Sequence, residues 1–79
     1  MNREKIIYQI TIAVSDVLDL ENLELTEDST AESVEGWDSL AHINIIIAIE
    51  QDFEIKFTLE EIGEFENIKK IVDSIEQKI

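Results

Sequence analysis

The 79-residue chain has no cysteine, no proline, two glycines and one histidine. Without cysteine no disulfide can staple the fold, and no thiolate can serve as nucleophile or metal ligand. A single histidine, His42, excludes a multi-histidine metal site. Gly36 and Gly63 are too few and too far apart for a glycine-rich phosphate loop. The lack of proline suits an all-helical chain. Positive charge is scarce too: six Lys+Arg face nineteen Asp+Glu, a formal net charge of −13. So acidic a surface disfavours nucleic-acid phosphates and anionic membranes, both of which need a basic face. It favours solubility and partners that carry positive charge. No apolar run is long enough to span a bilayer.

What is present points to one small domain over residues 1–79, since domains commonly run to about 100–150 residues. The hydrophobic fraction, 44%, is that of an ordinary globular chain rather than a disordered acidic tail. With no staple, efficient helix packing has to hold so small a core, and repulsion among the acids weakens it at low salt.

From about Asn2 to Leu18, the residues Ile6, Ile7, Ile10, Ala13 or Val14, Val17 and Leu18 repeat at helical spacing, with Asn2 as a candidate cap. Arg3 and Lys5 precede the run Ile6 to Val14 in the manner of a secretory signal. Gln9 and Thr11 interrupt that run, and Asp16 follows with no small-residue cleavage site. The segment therefore reads as a mature amphipathic helix and the protein as cytoplasmic. From Asp19 to Asp38 the periodicity fades. Glu21, Glu24, Glu27, Asp28, Glu32, Glu35 and Asp38 meet no basic residue, while Leu20, Leu23, Leu25 and Val34 suggest a loop pinned onto the core. So long a loop in a compact domain is often functional.

Gly36-Trp37-Asp38-Ser39 is a helix-start signal with Asp38 or Ser39 as the cap. The second helix runs from Ser39 to Asp52 or Phe53. Ile45, Ile46, Ile49 and Phe53 share its core face. Leu40, Asn44, Ile47 and Gln51 lie on the opposite side, either covered by the long loop or open to a partner. Glu54 to Phe57 alternates like a strand but is too short to build a sheet. Thr58-Leu59-Glu60-Glu61 reads as a capping box with Phe57 and Ile62 at the staple positions, and Gly63 as the stop. Asn67 opens a last helix carrying Ile68, Ile71, Val72, Ile75 and Ile79. The expected architecture is all-α, with three longer helices, one short helix, and a long loop between the first two.

Ser39 and His42 stand three apart on one helix with Asp38 adjacent, the residue types of a hydrolase triad. His42, however, lies near the core-facing arc, and a semi-buried helix-start histidine is the simpler reading. No window fits a calcium-binding EF-hand loop. Loose divalent binding to the acidic surface is expected. Asp38-Ser39-Leu40 sits where the acidic loop becomes an Ile-rich helix. A serine exposed there suits a phosphate-linked modification, because a helix N-terminus favours an attached anion. The plainer alternative is that Ser39 only caps the helix.

Gly36-Trp37-Asp38-Ser39-Leu40, followed by Ile43, Ile46, Ile49-Glu50 and Phe53-Glu54-Ile55, resembles the acyl carrier protein family. The resemblance covers nearly the whole chain, including Leu25 to Thr30, the short helix after Thr58 and the helix opening at Asn67-Ile68. It implies a four-helix bundle. It implies that Ser39, within Asp38-Ser39-Leu40, receives 4′-phosphopantetheine from coenzyme A through a phosphopantetheinyl transferase, and that an acyl group rides on the arm's thiol as a thioester. The chemistry then belongs to the cofactor and to partner enzymes rather than to this chain as a catalyst. The implied docking face is Leu40, Ala41, Asn44, Ile47, Glu50 and Gln51, extended by Glu54, Glu60 and Glu61. It would let a monomer dock briefly on basic patches of acyl-loading ligases, acyltransferases or synthases.

The chain departs from the pattern of primary fatty-acid carriers, which have acids directly after the motif and one turn later. Ala41 and Asn44 stand there instead, and Glu50 and Asp52 are the acids of the second helix. Trp37 is also unlike the housekeeping form. A specialised acyl pathway is the expectation. Aminoacyl and peptidyl carriers resemble the same bundle but are usually less acidic, with a second glycine where Trp37 stands. The alternative from another class is an unmodified acidic interaction module with no use for a free Ser39.

Overall fold

The computed structural model describes residues 2–79. Among these residues there are four α-helices and no strand: α1 Arg3–Leu18, α2 Ser39–Phe53, α3 Leu59–Gly63 and α4 Ile68–Lys78. The helix starts are set locally. Asn2 accepts from the Lys5 N–H, Asp38 from Ala41, Thr58 from Glu61 and Asn67 from Lys70. Each cap satisfies one of the amides a helix leaves unpaired at its first turn. The Thr58/Glu61 capping box forms in both directions. Phe57 is buried and Ile62 packs against the core, as staple positions require.

The core is largely aliphatic. α1 contributes Ile6, Ile10, Ala13 and Val14, α2 contributes Ile45, Ile46 and Ile49, and α4 contributes Ile68, Ile71, Val72 and Ile75. α1 packs on both α2 and α4. Burying one such side chain is worth about 1.5–3 kcal/mol, against about 1 kcal/mol for a cap. Burial therefore holds the helices together, and the caps decide where they begin.

The long loop is pinned down. Leu25, Val34 and Trp37 are buried, and Leu20 and Leu23 pack against the core. The loop also contains a 3₁₀ turn at Ala31–Ser33, closed by a Thr30/Ser33 capping box that the sequence pattern did not reveal. The Ile68 and Lys69 amides at the start of α4 donate to the Ser29 and Glu27 carbonyls at 2.9 and 3.0 Å. Arg3, the chain's one arginine, bonds Glu27 of the loop and Asp73 and Glu76 of α4.

Gly63 is the last residue of α3, the stop expected of it, and Gly36 is the glycine with positive φ, at 88°. α1 and α2 end at left-handed residues, Asp19 and Glu54, at φ 55° and 56°. One local expectation needs correction. Ile79 lies beyond α4 and is 56% exposed, so it adds little to the core.

Candidate functional site

The site forms where the pinned loop becomes α2. Gly36 makes the turn: a φ of 88° is one that L side chains rarely adopt. The turn is closed by the Trp37 amide donating to the Val34 carbonyl at 3.3 Å and the Asp38 amide to the Gly36 carbonyl at 3.0 Å. Trp37, 8% exposed, plugs into the core and fixes the approach of the chain. Asp38 then caps α2, its Oδ1 accepting from the Ala41 N–H at 2.8 Å. Of the two candidate caps, the structure selects Asp38. Ser39 is consequently the first helical residue, exposed, with its hydroxyl left out of the cap.

His42 is half-buried one turn along. The Trp37 indole Nε1–H donates to His42 Nδ1 at 3.0 Å, with the rings 6.0 Å apart and tilted by 30°. Burial holds the imidazole below its usual pKa, so the neutral ring is favoured. With Nδ1 accepting, its proton sits on Nε2. Nδ1 thus faces the indole instead of pairing with Ser39. The residue types alone do not reveal this bond; its sequence signal is that Trp37 and His42 occupy the two staple positions that flank the Asp38 cap.

Beside Ser39 lies an open groove of about 630 Å³, lined by Ala31, Trp37, His42, Ile43 and Phe65 together with Asp38 and Ser39. Phe65 is held in place by an edge-on contact with Phe57, ring centres 5.0 Å apart.

Around α2, Leu40 is 70% and Ile47 46% exposed, and Asn44 and Gln51 are exposed. The long loop does not cover this side. Ala41 and Glu50 are half-buried. One Glu50 oxygen accepts from the Phe57 amide at 2.8 Å, joining α2 to the chain entering α3. Ile47, Glu50 and Gln51 line a second groove, of about 480 Å³, reaching Glu54, Ile55 and Lys56. Ile43 and Leu59 are also exposed, Leu59 by 87%. The sequence pattern did not assign either to this surface. For Leu59 the signal was its place directly after the Thr58 cap, where no turn precedes it to cover it. At α3, Glu61 accepts from Ser74 Oγ at 2.8 Å and pairs with Lys78 at 3.0 Å. Among the described residues, no group of three His, Cys, Asp or Glu converges as a metal-ligand set, and no helix is long and apolar enough to cross a membrane.

The family model for the phosphopantetheine attachment site matches residues 9–75, most of the chain and the whole of this site. The chain belongs to the acyl carrier protein family of phosphopantetheine-bearing domains. An acyl carrier protein of Guillardia theta is 28% identical over the full length of this chain and 98% of its own. One from Coprothermobacter proteolyticus is 29% identical over the full length and 96% of its own. The solution structure of a holo acyl carrier protein from Geobacter metallireducens superimposes with a TM-score of 0.84 at 30% identity, covering 91% of this chain and 83% of that one. The bundle is thus the acyl carrier fold, and the family's group is covalent 4′-phosphopantetheine. Members of the family are carriers that interact with synthase and transferase enzymes.

Proposed function

We propose that Ser39 carries the 4′-phosphopantetheine, and that this single domain presents acyl thioesters to the enzymes of a specialised acyl pathway. One observation carries the first part: Asp38 supplies the cap, so the Ser39 hydroxyl is exposed and uncommitted at the start of α2. The residues present fit the group. Esterification would disturb no hydrogen bond of the fold, and a groove of about 630 Å³ opens beside the serine. The cysteine-free chain has no thiol of its own.

In the loading step Ser39 Oγ displaces the adenosine 3′,5′-bisphosphate portion of coenzyme A. The Oγ–P bond forms as the diphosphate P–O bond breaks, and the hydroxyl proton passes to the transferase. The arm, once attached, supplies the thiol on which an acyl group is held. The chain's own part is to hold Ser39 outward on a rigid helix start, backed by the Trp37 anchor and the Gly36 turn, and to offer a surface that enzymes recognise.

That surface is Leu40, Ala41, Asn44, Ile47, Glu50 and Gln51. Exposed Leu40 and Ile47 provide apolar contact, and Glu50 with neighbouring Glu54 provides charge. Basic patches on a phosphopantetheinyl transferase, an acyl-loading ligase and an acyltransferase or synthase complement it. The pathway reading rests on α2, where Ala41 and Asn44 replace the acids of primary fatty-acid carriers. The protein itself acts as a monomer, without catalysing the chemistry, in the cytoplasm beside its coenzyme A-dependent transferase.

The test is intact mass before and after incubation with coenzyme A and a broad-specificity phosphopantetheinyl transferase. One added phosphopantetheine, absent in Ser39→Ala, supports the reading. No addition to folded, initially unmodified protein, with a dedicated transferase also tried, overturns it in favour of an acidic interaction module.

A further inference from the structure

Trp37 and His42 are the chain's one tryptophan and one histidine, and they are hydrogen-bonded to each other at 3.0 Å. Trp37 is held in the core, so it fixes the imidazole as much as it bonds it. Because Nδ1 accepts, the neutral ring presents an N–H at Nε2. No other group among the described residues bonds this ring. Among those residues, no buried polar side-chain atom lacks a partner, so Nε2 is reached by solvent rather than sealed inside.

Both rings line the groove that opens beside Ser39. Ser39 and His42 are three residues apart on α2, which makes them neighbours on the helix surface. The remaining walls are apolar: Ala31, Ile43 and Phe65. Asp38 is engaged in the cap, and no lysine lines the groove. With Trp37 bonded to His42 and Ser39 esterified, His42 Nε2–H is the side-chain donor left in this groove.

On the reading that Ser39 bears the arm, we propose that His42 Nε2–H donates to the phosphodiester joining the arm to Ser39. Trp37 acts as the positioning residue that sets the tautomer. The arm then leaves α2 along the groove between Ile43 and Phe65. His42 thereby has a role as a binding residue, distinct from the base of a hydrolytic triad.

The experiment uses the protein converted to its holo form, with intact mass confirming one arm. A phosphodiester does not titrate between pH 5 and 8, so any inflection of its ³¹P resonance there reports a neighbouring group. We expect an inflection coincident with the titration of the His42 ring protons. The His42 midpoint should be higher in holo than in apo protein by about half a pH unit or more, the effect of one negative charge at roughly 6 Å under water-like screening. His42→Gln should abolish the inflection. Trp37→Phe should turn the ring's ¹⁵N pattern from a single Nε2–H tautomer into a mixture and weaken the inflection.

A flat ³¹P resonance while His42 titrates, or equal His42 midpoints in apo and holo protein, overturns the proposal. Asp38 in the groove and Glu32 and Glu66 in the adjoining one are the other ionisable side chains near the arm, and an inflection that survives in His42→Gln likewise overturns the proposal. The apo–holo comparison needs no variant, so a misfolded mutant cannot mask the result. If no arm attaches, mass and ³¹P spectrum both show it, and the Ser39 reading falls first.

Discussion

Asp38 Oδ1 accepts the Ala41 backbone N–H at 2.8 Å, immediately before the exposed Ser39. Two adjacent residues therefore differ in what the fold asks of them: one holds the helix end and the other keeps its hydroxyl uncommitted. Ser39→Ala should prevent loading yet change stability by no more than about 0.5 kcal/mol, as surface substitutions do. Asp38→Ala should cost about 1 kcal/mol through the lost cap. Urea unfolding of both variants, with intact mass, checks the division. A loss in Ser39→Ala as large as in Asp38→Ala would make the serine structural.

Ile47 and Ile49 are two residues apart on α2, the first 46% exposed and the second fully buried. Ile49→Ala should cost about 2–5 kcal/mol, the range for a buried isoleucine. Ile47→Glu should leave stability within about 0.5 kcal/mol. On the proposed docking face it replaces an apolar contact with charge, so it should raise the KM of the carrier for its transferase. An unchanged KM would remove Ile47 from that face.

Glu61 is held at about 2, from an ordinary 4.5, by the Thr58 backbone N–H first, then by Lys78 and the Ser74 hydroxyl. A carboxyl lowered on folding stabilises the fold where it is ionised. That contribution is complete above about pH 4.5 and is lost as pH falls toward 2. Glu61→Gln should therefore melt below the wild type at pH 7, with a gap that narrows steadily from pH 4.5 to pH 2. A gap independent of pH would mean that the charge of Glu61 plays no part.

Arg3 ties α1 to the loop through Glu27 and to α4 through Asp73 and Glu76. The planar guanidinium makes four N–H bonds to these three carboxylates, one more than the three N–H groups of an ammonium could supply. Arg3→Lys should lower the Tm, and Arg3→Met should lower it further. Both gaps should shrink at 1 M salt, where the screening length falls to about 3 Å. Equal melting of Arg3→Lys and wild type at low salt would show that the fork geometry contributes nothing.

Glu54 ends α2 in the left-handed region at φ 56°, a position that favours glycine. Its N–H bonds the Glu50 carbonyl, and the Ile55 amide bonds the same carbonyl at 3.0 Å. Glu54→Gly should raise stability by about 0.5–1 kcal/mol, the relief of the left-handed strain less the added freedom of the unfolded chain. Denaturant midpoints at unchanged slope would measure it, and a destabilised variant would show that the carboxylate matters more than the backbone.

The sequence by itself determined the helices, their order and most of the core. Asn2, Thr58 and Asn67 act within their own first turns, and Ile6, Ile10, Ile45, Ile49, Ile71 and Ile75 repeat at the period of the helix, so both signals are local. It also determined the segment carrying Asp38-Ser39-Leu40. Only the tertiary structure decided that Asp38 rather than Ser39 is the cap, since both residues are competent and the choice depends on how the buried Trp37 and the left-handed Gly36 deliver the chain. It likewise decided that Leu40 and Ile47 face solvent. A helical wheel gives their direction, but whether a loop lies over them depends on where Leu25, Val34 and the Ser29–Ile68 bond fasten that loop. The Trp37–His42 bond spans the Asp38 cap within one stretch of chain, whereas the groove beside Ser39 is completed by Phe65 and Ala31, which packing brings in from other segments.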